Sequence, residues 1–138
     1  KVDQKGRITI AAKFTGSARI TIRSFATAGY NAATKHITVT VNPAGTTLTT
    51  AKNLSGRKAQ ITWKKNGYVT GYEIQYSVNK NFRSGSKKTV SGASKTKYTL
   101  TKLQKNKTYY VRIRTYKKSG TKKYYSSWSK VKAVRIRK

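Results

Sequence analysis

The chain has 138 residues, 36% of them hydrophobic, with no cysteine and no methionine; that length holds one ordinary domain, or one domain and part of another. Thirty-two Lys and Arg stand against two acids, Asp3 and Glu73, for a formal net charge of +30. Without cysteine, disulfides, thiolate metal sites and a cysteine nucleophile are excluded. No apolar run reaches the ~20 residues of a membrane-spanning helix, and the N-terminus opens on polar, strand-like sequence with no signal-peptide pattern.

In chain order, residues 7–10 (Arg7-Ile8-Thr9-Ile10), 18–23 (Ala18-Arg19-Ile20-Thr21-Ile22-Arg23) and 36–41 (His36-Ile37-Thr38-Val39-Thr40-Val41) alternate apolar and polar side chains. A period of two marks a strand with one buried face. Lys5-Gly6, Thr15-Gly16 and Ala28-Gly29 supply the expected turns. These segments, with Tyr30-Asn31-Ala32-Ala33-Thr34, resemble the C-terminal half of a bacterial Ig-like domain. Such domains recur in tandem in secreted and surface proteins of Gram-positive bacteria, and the resemblance implies a chain that starts partway through one. Ile8, Ile10, Ile20, Ile22, Ile37, Val39 and Val41 are then expected to pack against something outside residues 1–42, since a single layer buries nothing by itself.

Asn42-Pro43-Ala44-Gly45 contains the only proline of the chain. Residues 43–45 read as a short linker that holds neighbouring modules end to end. Beyond it, candidate strands fall at 47–51, 58–64, 71–77, 88–90, 97–100, 108–116 and 131–137. Seven short strands at this spacing, parted by loops such as Lys65-Asn66-Gly67 and Ser119-Gly120-Thr121, predict a β-sandwich over residues 46–138. The order Ile61-Thr62-Trp63, Gly71-Tyr72-Glu73-Ile74-Gln75-Tyr76, Tyr98-Thr99-Leu100 with Leu103, and Tyr109-Tyr110-Val111-Arg112-Ile113-Arg114 resembles a fibronectin type III domain. Lys105 and Asn106 stand where that family often has Pro and Gly. The expected fold is thus all-β, a seven-stranded fibronectin type III-like sandwich preceded by a partial Ig-like module.

The resemblance implies roles for the aromatics. Trp63 would fill the core from the second strand of the sandwich. Tyr109 would form the tyrosine corner, its hydroxyl bonded to backbone near Leu103. Tyr72, Ile74, Tyr76, Val111 and Ile113 would alternate inward. Tyr125-Ser126-Ser127-Trp128-Ser129 is similar to the Trp-Ser-x-Trp-Ser motif of cytokine-receptor fibronectin domains, with Tyr125 in the first aromatic place. That likeness implies a ladder in which Trp128 and Tyr125 stack on the outward guanidiniums of Arg112 and Arg114. The alternative use of Trp128 is a platform for a sugar ring or a base. Glu73 would point outward and pair across strands with Arg112 or Arg114.

Chemistry is poorly provided for. Hydrolysis by paired carboxylates needs two acids a few ångströms apart, and Asp3 and Glu73 lie in different modules. His36 is the single histidine, with no acid near it in sequence to orient it as a base or to complete a zinc site. No Gly-rich loop opens a helix. No enzymatic activity and no cofactor are expected.

Binding is better supported. In a fibronectin-like sandwich Lys64, Lys65, Lys95, Lys97, Lys117, Lys118, Lys122 and Lys123 converge on one end, with Tyr68, Tyr116, Tyr124 and Tyr125 among them. Arg57, Lys58, Lys80, Arg83, Lys102, Lys105 and Lys107 gather at the other. A positive field without a base-reading element attracts polyanions by charge density. The expected protein is a non-enzymatic spacer and adhesion module, secreted or cell-wall associated. Its expected partners are teichoic acid or acidic polysaccharide, together with adjacent Ig-like or fibronectin-like domains. Two rivals remain: a nucleic-acid-binding protein, and an assembly subunit that completes its partial module with strands from a partner chain, a homo-oligomer being one form of this.

Overall fold

The computed structural model describes residues 3, 5–11 and 13–137. They divide into two compact units, Lys1–Asn42 and Pro43–Lys138.

In the first unit β1 (Gly16–Ser24) and β2 (Ala33–Val41) form an antiparallel ribbon. The register sets Ala18 opposite Val39 and Ile20 opposite Ile37, with Arg19 opposite Thr38 and Thr21 opposite His36. Alternation therefore yields one apolar face and one polar face. His36 sits on the polar face, where its Nδ1 is 3.0 Å from Thr21 Oγ1. Gly16 was expected in a turn, yet it begins β1 opposite Val41. Residues 7–10 were expected to be a strand and are not one. Asp3 closes a turn over the residues just before them: its Oδ1 accepts from the amides of Lys5 (3.0 Å) and Arg7 (2.8 Å), and its Oδ2 accepts from Arg7 Nε (2.7 Å).

Cover for the apolar face comes partly from within this unit. Ile8, Ile10 and Phe14 line a cleft of about 240 Å³ with Ala18, Ile20, Val39 and Val41. The cover stays incomplete, with Ile10 42% and Ile22 54% exposed.

The second unit holds the other strands: β3 (Leu48–Leu54), β4 (Lys58–Trp63), β5 (Gly71–Ser77), β6 (Ser86–Ser91), β7 (Lys97–Leu100), β8 (Thr108–Ser119), β9 (Lys122–Tyr125) and β10 (Lys132–Arg135). One sheet has the order β3-β4-β7; the other has β10-β8-β5-β6, with β9 also paired to β8. Alternation along β4, β5 and β8 sends Ile61, Trp63, Tyr72, Ile74, Val111 and Ile113 into the space between the sheets, where Leu48, Leu100, Leu103, Val134 and Ile136 complete the core. Tyr109 O–H lies within the same core and accepts from the Gln104 amide at 3.1 Å, one residue beyond Leu103. Trp63 Nε1 is buried with no acceptor among the described residues.

The sequence predicted seven strands after the linker, and β9 is the addition. A turn at Gly120 (φ 57°) folds β9 back on β8, so Lys118 faces Lys123 and Tyr116 faces Tyr125. Paired lysines and adjacent tyrosines, with no apolar residue on every second position, hide this hairpin from a search for alternation. Tyr116 was expected among the exposed basic loops, but it is buried. Its ring folds over Gly71, where an added Cβ would lie 2.9 Å from Tyr116 Cε1 and collide with the Val90 carbonyl oxygen.

Candidate functional site

The outer face of the larger sheet carries a stack of rings and guanidiniums. Segment 126–129 is extended along β8, where two serines three residues apart clip it in place. Ser126 N–H donates to Thr115 C=O (3.1 Å), while Ser126 Oγ accepts from Thr115 N–H (3.0 Å). Ser129 repeats this pattern on Ile113, at 2.8 and 3.1 Å. Thr115 and Ile113 flank Arg114 in sequence and point inward, so the clips hold Trp128 over the outward arginines.

The structure brings all four ladder residues together. Trp128 stands between Arg112 (4.6 Å from ring centroid to guanidinium carbon) and Arg114 (4.4 Å), and Tyr125 covers the other side of Arg114 at 3.9 Å. Phe82 adds a rung beyond those expected, 4.2 Å from Arg112. It belongs to the β5–β6 loop at a positive φ of 57°. A loop aromatic at that backbone angle carries no periodic signal, which is why sequence reasoning missed it.

Hydrogen bonds occupy the same guanidiniums. Arg112 donates from Nε (2.9 Å) and Nη2 (2.7 Å) to Gln75 Oε1. Arg114 donates from Nε to Glu73 Oε1 at 2.9 Å and pairs with the same oxygen through Nη2 at 2.7 Å. Glu73 lies on the outward face of β5, yet it is buried, 8% exposed, which makes this pair tighter than a surface ion pair. Burial first, and then the neighbouring Arg114 charge, push the Arg112 pKa below its ordinary value. Stacked and bonded in this way, the two arginines offer little to an external anion. Cation–aromatic contacts contribute ~0.5–2 kcal/mol each, toward the upper end when desolvated.

The predicted polyanion-binding residues lie elsewhere. Lys64 and Lys65 follow β4, Lys95 and Lys97 stand at the start of β7, and Lys117, Lys118, Lys122 and Lys123 form the tip of the β8–β9 hairpin. Backbone bonds fasten these ends to one pole: Trp63 N to Thr96 O (2.9 Å), Thr70 N to Tyr116 O (2.8 Å) and Gly92 N to Thr70 O (2.9 Å). Lys118 N also donates to Thr70 Oγ1 at 2.9 Å. All eight lysines are exposed except Lys117, which is partly covered. Lys123 Nζ lies 5.2 Å from the Tyr116 ring centroid and Lys122 Nζ 5.5 Å from that of Tyr124. Among the described residues no group of three His, Cys, Asp or Glu side chains could hold a metal, and no helix is long and apolar enough to cross a membrane.

Residues 42–132 match the family model for the fibronectin type III domain. No curated protein is significantly similar to the chain. Among solved structures, the crystal structure of the chicken CNTN1 FN1–FN3 domains is similar at 18% identity and a TM-score of 0.62, covering 93% of this chain and 46% of that one. The solution structure of the fn3 domain of human contactin 1 follows at 16% identity and 0.58, covering 71% and 82%. A structure titled "Myokine structure" matches at 16% identity and 0.56, covering 71% of this chain and all of that one.

Proposed function

Because this chain belongs to the fibronectin type III family, whose domains are generally non-catalytic structural and binding modules, we propose that it is a spacer and adhesion unit of a secreted or cell-surface protein whose lysine-rich pole binds extracellular polyanions. The observation that carries this reading is the β8–β9 hairpin, where Lys118 stands directly opposite Lys123. Like charges in that position destabilise a sheet. The two acids of the chain do not relieve them, since Glu73 is held by Arg114 and Asp3 by Arg7. An anionic polymer laid across the pole relieves the repulsion and releases its own counterions.

Teichoic acid and acidic polysaccharide fit this chemistry, and the likeness of the first unit to a bacterial Ig-like half favours a Gram-positive envelope. The apolar face of that unit would then be covered by an adjacent Ig-like or fibronectin-like module. Nucleic acid is a weaker candidate, because no base-reading element accompanies the charge.

The test is a titration of labelled teichoic acid and of a fluorescent oligonucleotide across a range of salt. Binding is expected to weaken steeply with salt and to rank ligands by charge density. Replacing Lys117, Lys118, Lys122 and Lys123 by Gln should flatten the plot of log affinity against log salt by up to ~4 units on DNA, at about 0.9 for each phosphate no longer neutralised. Salt-insensitive binding of a neutral sugar would overturn the proposal.

A further inference from the structure

A cleft lies at the pole opposite the lysine hairpin. Among the described residues β6 pairs only with β5, and β7 only with β4, so each is an edge strand of its sheet. Between them opens a cleft of about 400 Å³ lined by Tyr76, Tyr98, Tyr109, Lys88, Lys102 and a set of hydroxyl and amide side chains. That volume lies within the ~300–1,000 Å³ usual for small-ligand sites.

Strand register explains why these groups meet. Lys88 is opposite Ile74, and Tyr98 is opposite Ile61, so each stands on the core-facing side of an edge strand. Leucine or valine there would have closed the sandwich. The sequence instead sets an exposed lysine on β6 and half-buried tyrosines on β5 and β7. A core-facing lysine on an edge strand also guards against strand addition, but a guard needs no further polar lining. Here the hydroxyls of Tyr76 and Tyr98 have no hydrogen-bond partner among the described residues, and Ser84, Ser86, Thr101 and Gln104 add donors and acceptors around them.

We propose that this cleft binds one acidic sugar unit, a uronate, of an extracellular polysaccharide. Lys88 and Lys102 would take the carboxylate, for no acid lines the cleft. The ring hydroxyls would be met by Ser86, Thr101, Gln104 and the two free phenols, while the tyrosine faces pack on the apolar side of the pyranose. A base or nucleotide fits less well. Tyr76 and Tyr109 are tilted by 45° with centroids 6.2 Å apart, which leaves no parallel slot for a planar ring. The Tyr109 hydroxyl is already bonded to Gln104 N.

The site is independent of the lysine hairpin, and its test keeps the two apart. D-glucuronate, D-glucose and inorganic phosphate are titrated into the full chain while backbone amide shifts are followed by NMR. Glucuronate should move amides in the 84–88 and 98–104 segments, more strongly than glucose or phosphate at equal concentration. Lys88→Gln and Lys102→Gln should each weaken it about tenfold, as expected when a charge-assisted hydrogen bond is removed. Tyr98→Phe, which keeps the ring and the fold, should weaken it several-fold. The quadruple Gln variant of the hairpin lysines should bind glucuronate unchanged. The inference fails if phosphate or glucose reproduces the shifts at equal affinity, or if the shifts fall on residues 117–123 and vanish in that quadruple variant. It also fails if no cleft amide moves at saturating glucuronate.

Discussion

The two units use the same strand pattern and reach different degrees of closure. In the second, alternating residues of two sheets face one another, and Ile61, Ile74, Val111 and Ile113 are fully buried. In the first, Ile20, Ile22, Ile37 and Val39 alternate just as regularly on a two-stranded ribbon, yet Ile22 remains more than half exposed. Alternation thus specifies a strand with an apolar face. Burial of that face needs a second layer, and among the described residues the first unit supplies the partial cover of Ile8, Ile10 and Phe14.

The sharpest way to break this comparison is to delete the same side chain from each unit. Ile113→Ala removes a fully buried group from the sandwich core and should cost about 3–4 kcal/mol. Ile22→Ala should cost under about 1 kcal/mol, because its site is already open to water. Both tryptophans, Trp63 and Trp128, lie in the second unit, so urea unfolding followed by fluorescence reads that unit alone; amide signals of β1 and β2 read the other. Equal losses in the two units would show that the ribbon is as well packed as the sandwich.

Gly71 offers a smaller perturbation of the closed unit. A methyl group there meets the Val90 carbonyl oxygen and the Tyr116 ring at once. Gly71→Ala should destabilise the sandwich by roughly 2–3 kcal/mol, the range of an overpacked site, and should free the Tyr116 ring, visible in its aromatic resonances. No equivalent sensitivity is expected at Gly29, where a Cβ meets nothing within 4 Å.

The ladder ranks next. Trp128→Ala removes the stacking on two guanidiniums and should lower the stability of the second unit by roughly 2 kcal/mol. Trp128→Phe should restore part of that stability, since a smaller ring still stacks. An effect confined to ligand binding, with stability unchanged, would assign Trp128 to recognition instead.

How much of this was legible in the sequence follows from which forces leave a period behind. Trp63, Tyr72, Ile74, Val111 and Ile113 could be placed because the resemblance to a fibronectin type III domain implied their roles, and burial of one strand face repeats every second residue in accord with it. Tyr125, Trp128, Arg112 and Arg114 could be placed because a spaced motif stood beside an alternating strand. Phe82 could not, since a loop turn sets its position, and β9 could not, since its residues face solvent and ladder rings with no apolar repeat. The cleft was equally hidden. It depends on Lys88 and Tyr98 facing each other across two sheets, and sequence distance says nothing of that. Residues 7–10 misled in the opposite direction: their alternation is real, but they form no strand and follow directly on the turn that Asp3 closes.

That turn gives the last and smallest test, one that touches only the open unit. Asp3 accepts from the side chain and backbone of Arg7 and from the Lys5 amide, and these bonds, with the Arg7 side chain foremost, hold its carboxyl below the ordinary value of 3.8. A depressed folded pKa means that the unfolded segment binds the proton more readily. The turn is therefore favoured above the ordinary value and loses that advantage as pH falls through the lower, folded one. Because the carboxylate is open to solvent, the effect should stay local, without a shift in the melting of the sandwich. Amide shifts of Lys5 and Arg7, followed from about pH 5 down to about pH 2, should move together toward unstructured values. Asp3→Asn should abolish that titration while leaving the fluorescence melt of the second unit unchanged. A coupled change in the melt would mean that the turn supports more of the molecule than its own first residues.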